Sequence, residues 1–158
     1  KMVKGGVSMK AKDIMTPNVI TVSKSDSVEK AIKLLLEHNI TGLPVVDEAG
    51  HVIGIITEGD LMYRGGEIKP PRYLAIFDSY IFIDNPNKFE KQLKKMTGMF
   101  VEDVMTTPVI VIEAEQSVPD AANLMTKHKV NRLPVIEEGK LVGIISRRDI
   151  IKSYASMA

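Results

Sequence analysis

Apolar residues recur along this chain with two different periods, and the switch between them marks its elements. Val28, Ala31, Ile32 and Leu35 fall at i, i+3, i+4 and i+7, the spacing of one face of an amphipathic helix. Asp26 precedes them and Glu29 follows three residues later, which predicts an N-cap at Asp26. Upstream, Val19–Val22 is a short β-branched run and predicts a strand. Downstream, Leu43–Val46 and His51–Thr57 predict the arms of a hairpin that turns through Asp47-Glu48-Ala49-Gly50. A second helix is predicted from near Asp60. The order is β-α-β-β-α.

The same order then returns. Asp13-Ile14-Met15-Thr16 reappears as Asp103-Val104-Met105-Thr106, an offset of 90 (103 − 13). At that offset Val19-Ile20 matches Val109-Ile110, Ser27-Val28 matches Ser117-Val118, and His38 matches His128. Leu43-Pro44-Val45 likewise matches Leu133-Pro134-Val135. One residue is lost in a turn, and Gly54-Ile55-Ile56-Thr57 then matches Gly143-Ile144-Ile145-Ser146. Asp60 matches Asp149 at an offset of 89 (149 − 60). Chance does not hold a register over about 48 residues. In the second copy a lead-in strand is predicted at Val109–Ile112, and Pro119 sits in the first turn of the helix, where its missing N–H costs little. The second hairpin is one residue tighter, through Glu138-Gly139. One such copy offers a three-stranded sheet with an exposed apolar face, and two copies can cover each other. The expectation is a mixed α/β (α+β) fold of two β-α-β-β-α repeats packed with pseudo-twofold symmetry. Its divisions are an N-terminal extension (1–10), repeat one (11–63), an insert (64–100) and repeat two (101–158). Met9 resembles a natural start, and Lys1–Ser8 are expected to be an extension, native or added.

Composition changes the picture chiefly in the insert. Seven of the eight aromatic residues lie between Tyr63 and Phe100, and only Tyr154 lies elsewhere. The insert is therefore aromatic-rich and not a Gly/Ser tether, and its aromatics are expected to pack on the repeats, on a partner subunit or over a ligand. Tyr80–Ile83 predicts a short strand, and Asn87–Met96 a helix with Phe89, Leu93 and Met96 as its apolar stripe. The chain of 158 residues is 44% hydrophobic and 26% charged, the balance of a soluble globular protein with a core of its own. No apolar run approaches the ~18 residues of a membrane span. The absence of cysteine removes disulfides, thiolate metal sites and thiol nucleophiles together, and fits a cytoplasmic protein. A net charge of +1 disfavours a broad electrostatic nucleic-acid binder.

The chemistry concentrates at two corners. Thr57-x-x-Asp60 and Ser146-x-x-Asp149 have the spacing of capping boxes, with Asp in place of Glu. The same geometry suits a ligand. A strand ends at a hydroxyl residue, a helix begins with unpaired N–H groups, and an acceptor-only carboxylate can take both hydroxyls of a ribose. Capping and binding are compatible. Other constellations are poor. His38, His51 and His128 have no metal-ligand spacing, and no metal site is expected. No phosphate-binding glycine loop, Ser-His-Asp order or nucleophile elbow occurs, so no catalytic residue is assigned.

The two full sets of motifs, Asp13-Ile-Met-Thr16, Leu43-Pro44-Val45-Val46 and Gly54-Ile-Ile-Thr57-x-x-Asp60 with their copies, resemble the cystathionine-β-synthase (CBS) domain family in its paired form, the Bateman module. The likeness covers about 105 of 158 residues and leaves out most of the insert. It implies binding of adenosine-containing ligands (AMP, ADP, ATP or S-adenosylmethionine-like) in two clefts between the repeats. The nucleotide is a regulatory ligand, and no cofactor is required. In one implied site Asp149 holds the ribose and Ser146 the sugar or phosphate side. Ile144 lines the adenine pocket there, and Thr16, Ile20, Ile40, Thr41, Gly42 and Pro44 come from the opposite repeat. Arg132 stands where similar modules carry a phosphate-binding residue, and Arg148 can also reach phosphate. In the other implied site Asp60, Thr57 and Ile55 face Thr106, Ile110, Val130, Asn131, Arg132 and Pro134. Gly42 occupies the position equivalent to Arg132, so a phosphorylated ligand is expected to prefer the Asp149 site.

The implied protein is a non-catalytic sensor that forms a homodimer and signals to a separate, unidentified protein partner. A nucleic-acid-binding module is the first alternative, on Lys88, Lys91, Lys94 and Lys95, but the repeats lack aromatic stacking platforms. A purely structural dimerisation module is the second. No membrane association is expected.

Overall fold

A computed structural model describes residues 3–4, 7–64, 73–76, 79–82 and 99–156. In chain order its elements are β1 (Val3–Lys4), β2 (Val7–Ser8), α1 (Ala11–Ile14), α2 (Val28–Glu37), β3 (Gly42–Val46), β4 (Val52–Thr57) and α3 (Glu58–Arg64). There follow β5 (Tyr73–Ile76), β6 (Ser79–Phe82), α4 (Val101–Val104), β7 (Ile112–Glu113), α5 (Val118–His128), β8 (Arg132–Glu137), β9 (Lys140–Ser146) and α6 (Arg147–Ala155). The chain divides into two compact units. One gathers residues 1–21, 46–54 and 107–158, the other 22–45 and 55–106. Each takes chain from both halves of the duplication.

The first unit is built on a three-stranded sheet in the order β7-β8-β9. β8 and β9 form an antiparallel hairpin that runs from Arg132 opposite Ser146 to Glu137 opposite Lys140. Glu138 (φ 51°) and Gly139 (φ 80°) both turn left-handed, the backbone that a two-residue hairpin of this twist demands. β7 joins in parallel, Ile112 opposite Val135. The core beneath holds Ile112, Val118, Ala121, Met125, Leu133, Val135, Ile145 and Ile150, together with Ala11 from α1. α5 opens on Ser117, whose hydroxyl accepts from Asp120 N at 3.2 Å, with Pro119 in the first turn as expected. α1 docks beside it through Ala11 N donating to Gln116 O (2.7 Å) and Lys12 N to Ala114 O (3.1 Å). Lys10 and Lys12 both donate to Glu115, the latter at 2.6 Å. These two ammonium groups hold the Glu115 carboxyl at about 2, well below its ordinary 4.5. β1 and β2 pair antiparallel within residues 3–8.

The second unit buries Val22, Val28, Ala31, Ile32, Leu35, Leu43, Val45, Ile56, Val101 and Val104. β3 and β4 make a two-stranded sheet. The expected third strand, Val19–Val22, shrinks here to one parallel bridge between Val22 and Val45, with Val22 N donating to Pro44 O at 3.1 Å. Its copy is likewise displaced, beginning at Ile112 and not at Val109. β-branched runs report strand propensity, whereas parallel pairing depends on what tertiary packing brings alongside. The N-cap of α2 also moves by one residue. Ser27 accepts from Lys30 N (3.0 Å), while the Asp26 carboxylate accepts from Ser23 N (2.8 Å) and pairs with Lys30. Asp26 closes the turn before the helix, which leaves the cap to its neighbour. β5 and β6 pair antiparallel from Tyr73 opposite Phe82 to Ile76 opposite Ser79. The strand expected at Tyr80–Ile83 thus falls at Ser79–Phe82, and the helix expected over Asn87–Met96 lies outside the described residues.

The repeated Asp-x-Met-Thr motif has a local cause. Asp13 and Asp103 each stand at the third position of a one-turn helix and accept from the backbone N–H that precedes it, Lys10 and Phe100, both at 2.8 Å. Each aspartate fixes the start of its helix and so aims the residues that follow, Met15-Thr16 and Met105-Thr106.

Candidate functional site

Both expected corners form, each within one unit. In the first, β9 ends at Ser146 and α6 begins at Arg147. Asp149 Oδ2 accepts from Ser146 N (2.8 Å) and from its hydroxyl (3.0 Å), and Ser146 Oγ accepts from Asp149 N (3.2 Å). Thr16 and Ile144 exchange backbone bonds, Thr16 N to Ile144 O at 2.8 Å and Ile144 N to Thr16 O at 3.0 Å. Met15 lies over Gly143 so closely that a Cβ there would stand 2.3 Å from its Sδ. Glycine at 143 is what admits the lead-in segment to the strand.

The second corner repeats this in the other unit. Asp60 Oδ2 accepts from Thr57 N (2.9 Å) and Thr57 Oγ1 (3.1 Å), and Thr57 Oγ1 accepts from Asp60 N (3.2 Å). Thr106 and Ile55 exchange backbone bonds of 2.8 and 3.2 Å. One contact has no counterpart at the first corner: Thr106 Oγ1 donates to Asp60 Oδ1 at 2.5 Å.

Neighbouring loops tie into both corners in the same way. Arg147 N donates to Asn131 O at 3.1 Å, and Glu58 N donates to Thr41 O at 3.0 Å. In each case the corner that precedes the first strand of the hairpin closes on the first residue of the helix. Arg132 stands opposite Ser146, and Pro134 opposite Ile144. Gly42, Pro44 and Pro134 are buried, while Ile20, Ile40, Ile55, Ile110, Val130 and Ile144 are half-buried. Thr41, Asn131 and Arg148 are exposed. A cavity of about 340 Å³ is lined by Met125, Thr126, Lys129, Val130, Asn131 and Arg147. The resemblance names Val130 and Asn131 for the Asp60 site, and Met125, Thr126 and Lys129 stand around them here. Lys129 enters because α5 ends there in a left-handed cap (φ 55°), a conformation that its sequence position does not announce.

The first unit therefore collects Thr16, Ile20, Ile110, Val130, Asn131, Arg132, Pro134, Ile144, Ser146, Arg148 and Asp149. The second collects Ile40, Thr41, Gly42, Pro44, Ile55, Thr57, Asp60 and Thr106. Among the described residues, no cluster of His, Asp and Glu could hold a metal ion, and no helix is long and apolar enough to cross a membrane. Each corner offers a carboxylate, a hydroxyl and a paired backbone edge, which is chemistry for hydrogen-bonding a polar ligand.

Comparison with known proteins adds the family context. The model of the CBS domain matches residues 11–66 and 101–156. An uncharacterized protein of Methanocaldococcus jannaschii, MJ1426, is 33% identical over 156 residues, covering 94% of this chain and 92% of its own length. The chloroplastic CBS domain-containing protein CBSX2 of Arabidopsis thaliana is 33% identical over 150 residues. The chain spans 61% of that relative, and only 32% of another M. jannaschii protein, MJ1404. Among solved structures, CBSX2 in complex with AMP superposes with a TM-score of 0.71 at 30% identity, covering 94% of this chain and 97% of that one. The CBS domain pair of protein MJ0100 in complex with 5′-methylthioadenosine and S-adenosyl-L-methionine gives 0.68 at 27% identity, covering 96% of this chain and all of that one.

Proposed function

The chain belongs to the CBS domain family, with two CBS domains in tandem, and from that premise we propose that it is a non-catalytic regulatory module for adenosine-containing ligands. The observation that carries this reading is the doubled corner: a strand-ending hydroxyl, a carboxylate at the third helical position, and a lead-in threonine bonded to the strand. A carboxylate so placed accepts from a vicinal diol, and the adjoining strand edge is aliphatic, as an adenine face requires. The relatives solved with AMP and with methylthioadenosine and S-adenosylmethionine support the ligand class. In this reading Asp149 takes the ribose and Ile144 the base, and Arg132, one strand away from Ser146, takes phosphate.

The ligand regulates by binding two arrangements of the protein unequally. A second copy of the chain is the proposed structural partner, because Ile151 (63% exposed) and Tyr154 (45%) lie three residues apart on α6 and share a face.

A thermal-shift panel of AMP, ATP, S-adenosylmethionine and methylthioadenosine tests the reading. A ligand at a hundred times its dissociation constant adds about 2.7 kcal/mol to stability. Asp149→Asn removes charge-assisted bonds and weakens the responding compound about tenfold or more. No shift with any of the four, or a shift indifferent to Asp149, refutes it.

A further inference from the structure

The two corners are equivalent in backbone and unequal in one hydroxyl. At Asp60 both carboxylate oxygens are engaged: Oδ2 by Thr57 N and Oγ1, Oδ1 by Thr106 Oγ1 at 2.5 Å. At Asp149 the Oδ2 bonds to Ser146 N and Oγ are the same, while Oδ1 accepts no hydrogen bond among the described residues. Thr16 holds the place of Thr106, with the same pair of backbone bonds to its strand, yet its hydroxyl does not reach Asp149. Burial follows the same division, since Thr16 is exposed and Thr106 half-buried.

We infer that Thr106 is a specificity-determining residue that closes the Asp60 corner to a ligand diol, so that the Asp149 corner fills first. The inference rests on the reading of the corners as ligand sites and adds an order of occupancy to it. A threonine hydroxyl has one proton to give, and here it goes to the carboxylate. A short O–H···O⁻ bond is among the stronger neutral-to-charged contacts. A diol arriving at Asp60 must displace it and leave the Thr106 hydroxyl to find another acceptor. A diol arriving at Asp149 meets an oxygen already free. The cost at Asp60 is on the order of tenfold in affinity, the usual worth of a hydrogen bond to a charged group. The inequality comes from the position of one side chain, and it acts in addition to any preference set by Arg132.

Calorimetric titration of the full chain with AMP tests the lock. Asp149→Asn removes the first corner and leaves weak binding at the second. Adding Thr106→Val or Thr106→Ala to that variant tightens the remaining binding about tenfold, and Thr106→Ser, which restores an O–H donor, takes the gain back. Equal affinities with and without the Thr106 hydroxyl in the Asp149→Asn background overturn the lock alone. Tightening by Thr106→Val that Thr106→Ser fails to reverse also overturns it, because shape and not the proton would then be responsible. A wild-type chain that takes up no AMP overturns the reading of both corners, and the lock with it. Thermal unfolding of each variant identifies any loss that arises from misfolding, and the paired alanine and valine variants keep the comparison decisive.

Discussion

Replacing Gly143 by alanine tests how the lead-in segment is seated on β9. A Cβ at that position would stand 2.3 Å from Met15 Sδ, 2.7 Å from its Cγ and 3.0 Å from its Cβ, against the 3.5–4.0 Å or so of an ordinary carbon contact. The sulfur can swing aside, because it ends a flexible chain. The Met15 Cβ cannot, because the backbone fixes it, so Met15 itself must shift. Thr16, the next residue, bonds to Ile144 on both sides and resists that shift. Overpacking of this kind costs roughly 1–3 kcal/mol. Gaining a methyl in place of a strand glycine returns about 0.5–1 kcal/mol. The net loss of about 1–2 kcal/mol lowers the melting temperature by roughly 2–8 °C for a domain of this size. Urea and thermal unfolding measure it, and a double-mutant cycle with Met15→Ala assigns it. With the Met15 Cγ and Sδ removed, the cost of Gly143→Ala should fall by the share of the 2.3 and 2.7 Å contacts, and the 3.0 Å contact with the retained Cβ keeps the remainder. An unchanged cost in the Met15→Ala background refutes the argument, since the strain would then lie elsewhere in β9.

Two further expectations follow from the first unit. Glu115 has its carboxyl held at about 2 against an ordinary 4.5 by Lys10 and Lys12, so it contributes stability in full above about pH 4.5 and loses it as pH falls towards 2. Glu115→Gln should therefore melt below wild type at pH 7 and meet it near pH 2, a gap that also narrows in high salt; a gap independent of pH refutes the pairing. Ile151→Glu places a charge on the exposed apolar face of α6 and should convert the proposed dimer into a monomer in sedimentation while leaving the melting of the protomer little changed. A variant that sediments as the wild type refutes that face as the contact.

What could be read from the residues alone was what is decided locally. The Glu138-Gly139 turn needs two left-handed residues and a glycine to carry one of them, and it forms as expected. The capping boxes at Thr57 and Ser146 need only a hydroxyl and a carboxylate three residues apart. Even there, local competition shifted one boundary. Asp26 and Ser27 are both good caps, and the choice fell to Ser27 because the Asp26 carboxylate was already taken by Ser23 N. The lead-in strands were harder. Val19–Val22 and Val109–Ile112 carry the right propensity, but a parallel bridge forms only where a distant strand arrives, and that reduced one of them to Val22 alone.

The candidate corners divide along the same line. Their backbone is written twice in the sequence, so the likeness of Asp60 and Asp149 was plain. Their difference was not, because Thr16 and Thr106 are the same residue in the same motif, and no pattern of residue types can separate them. What separates them is a hydroxyl rotor set by tertiary context: Thr106 is half-buried with its proton on Asp60, Thr16 exposed with its hydroxyl elsewhere. A duplicated sequence thus specifies two copies of a backbone geometry but not the same hydrogen bonding at each. In a protein built from repeats, unequal sites can arise without any change at the positions that touch ligand, through a neighbour that competes for the same oxygen. That makes the Asp60–Thr106 contact, beside the difference between Gly42 and Arg132, a place where the two halves of this module part company.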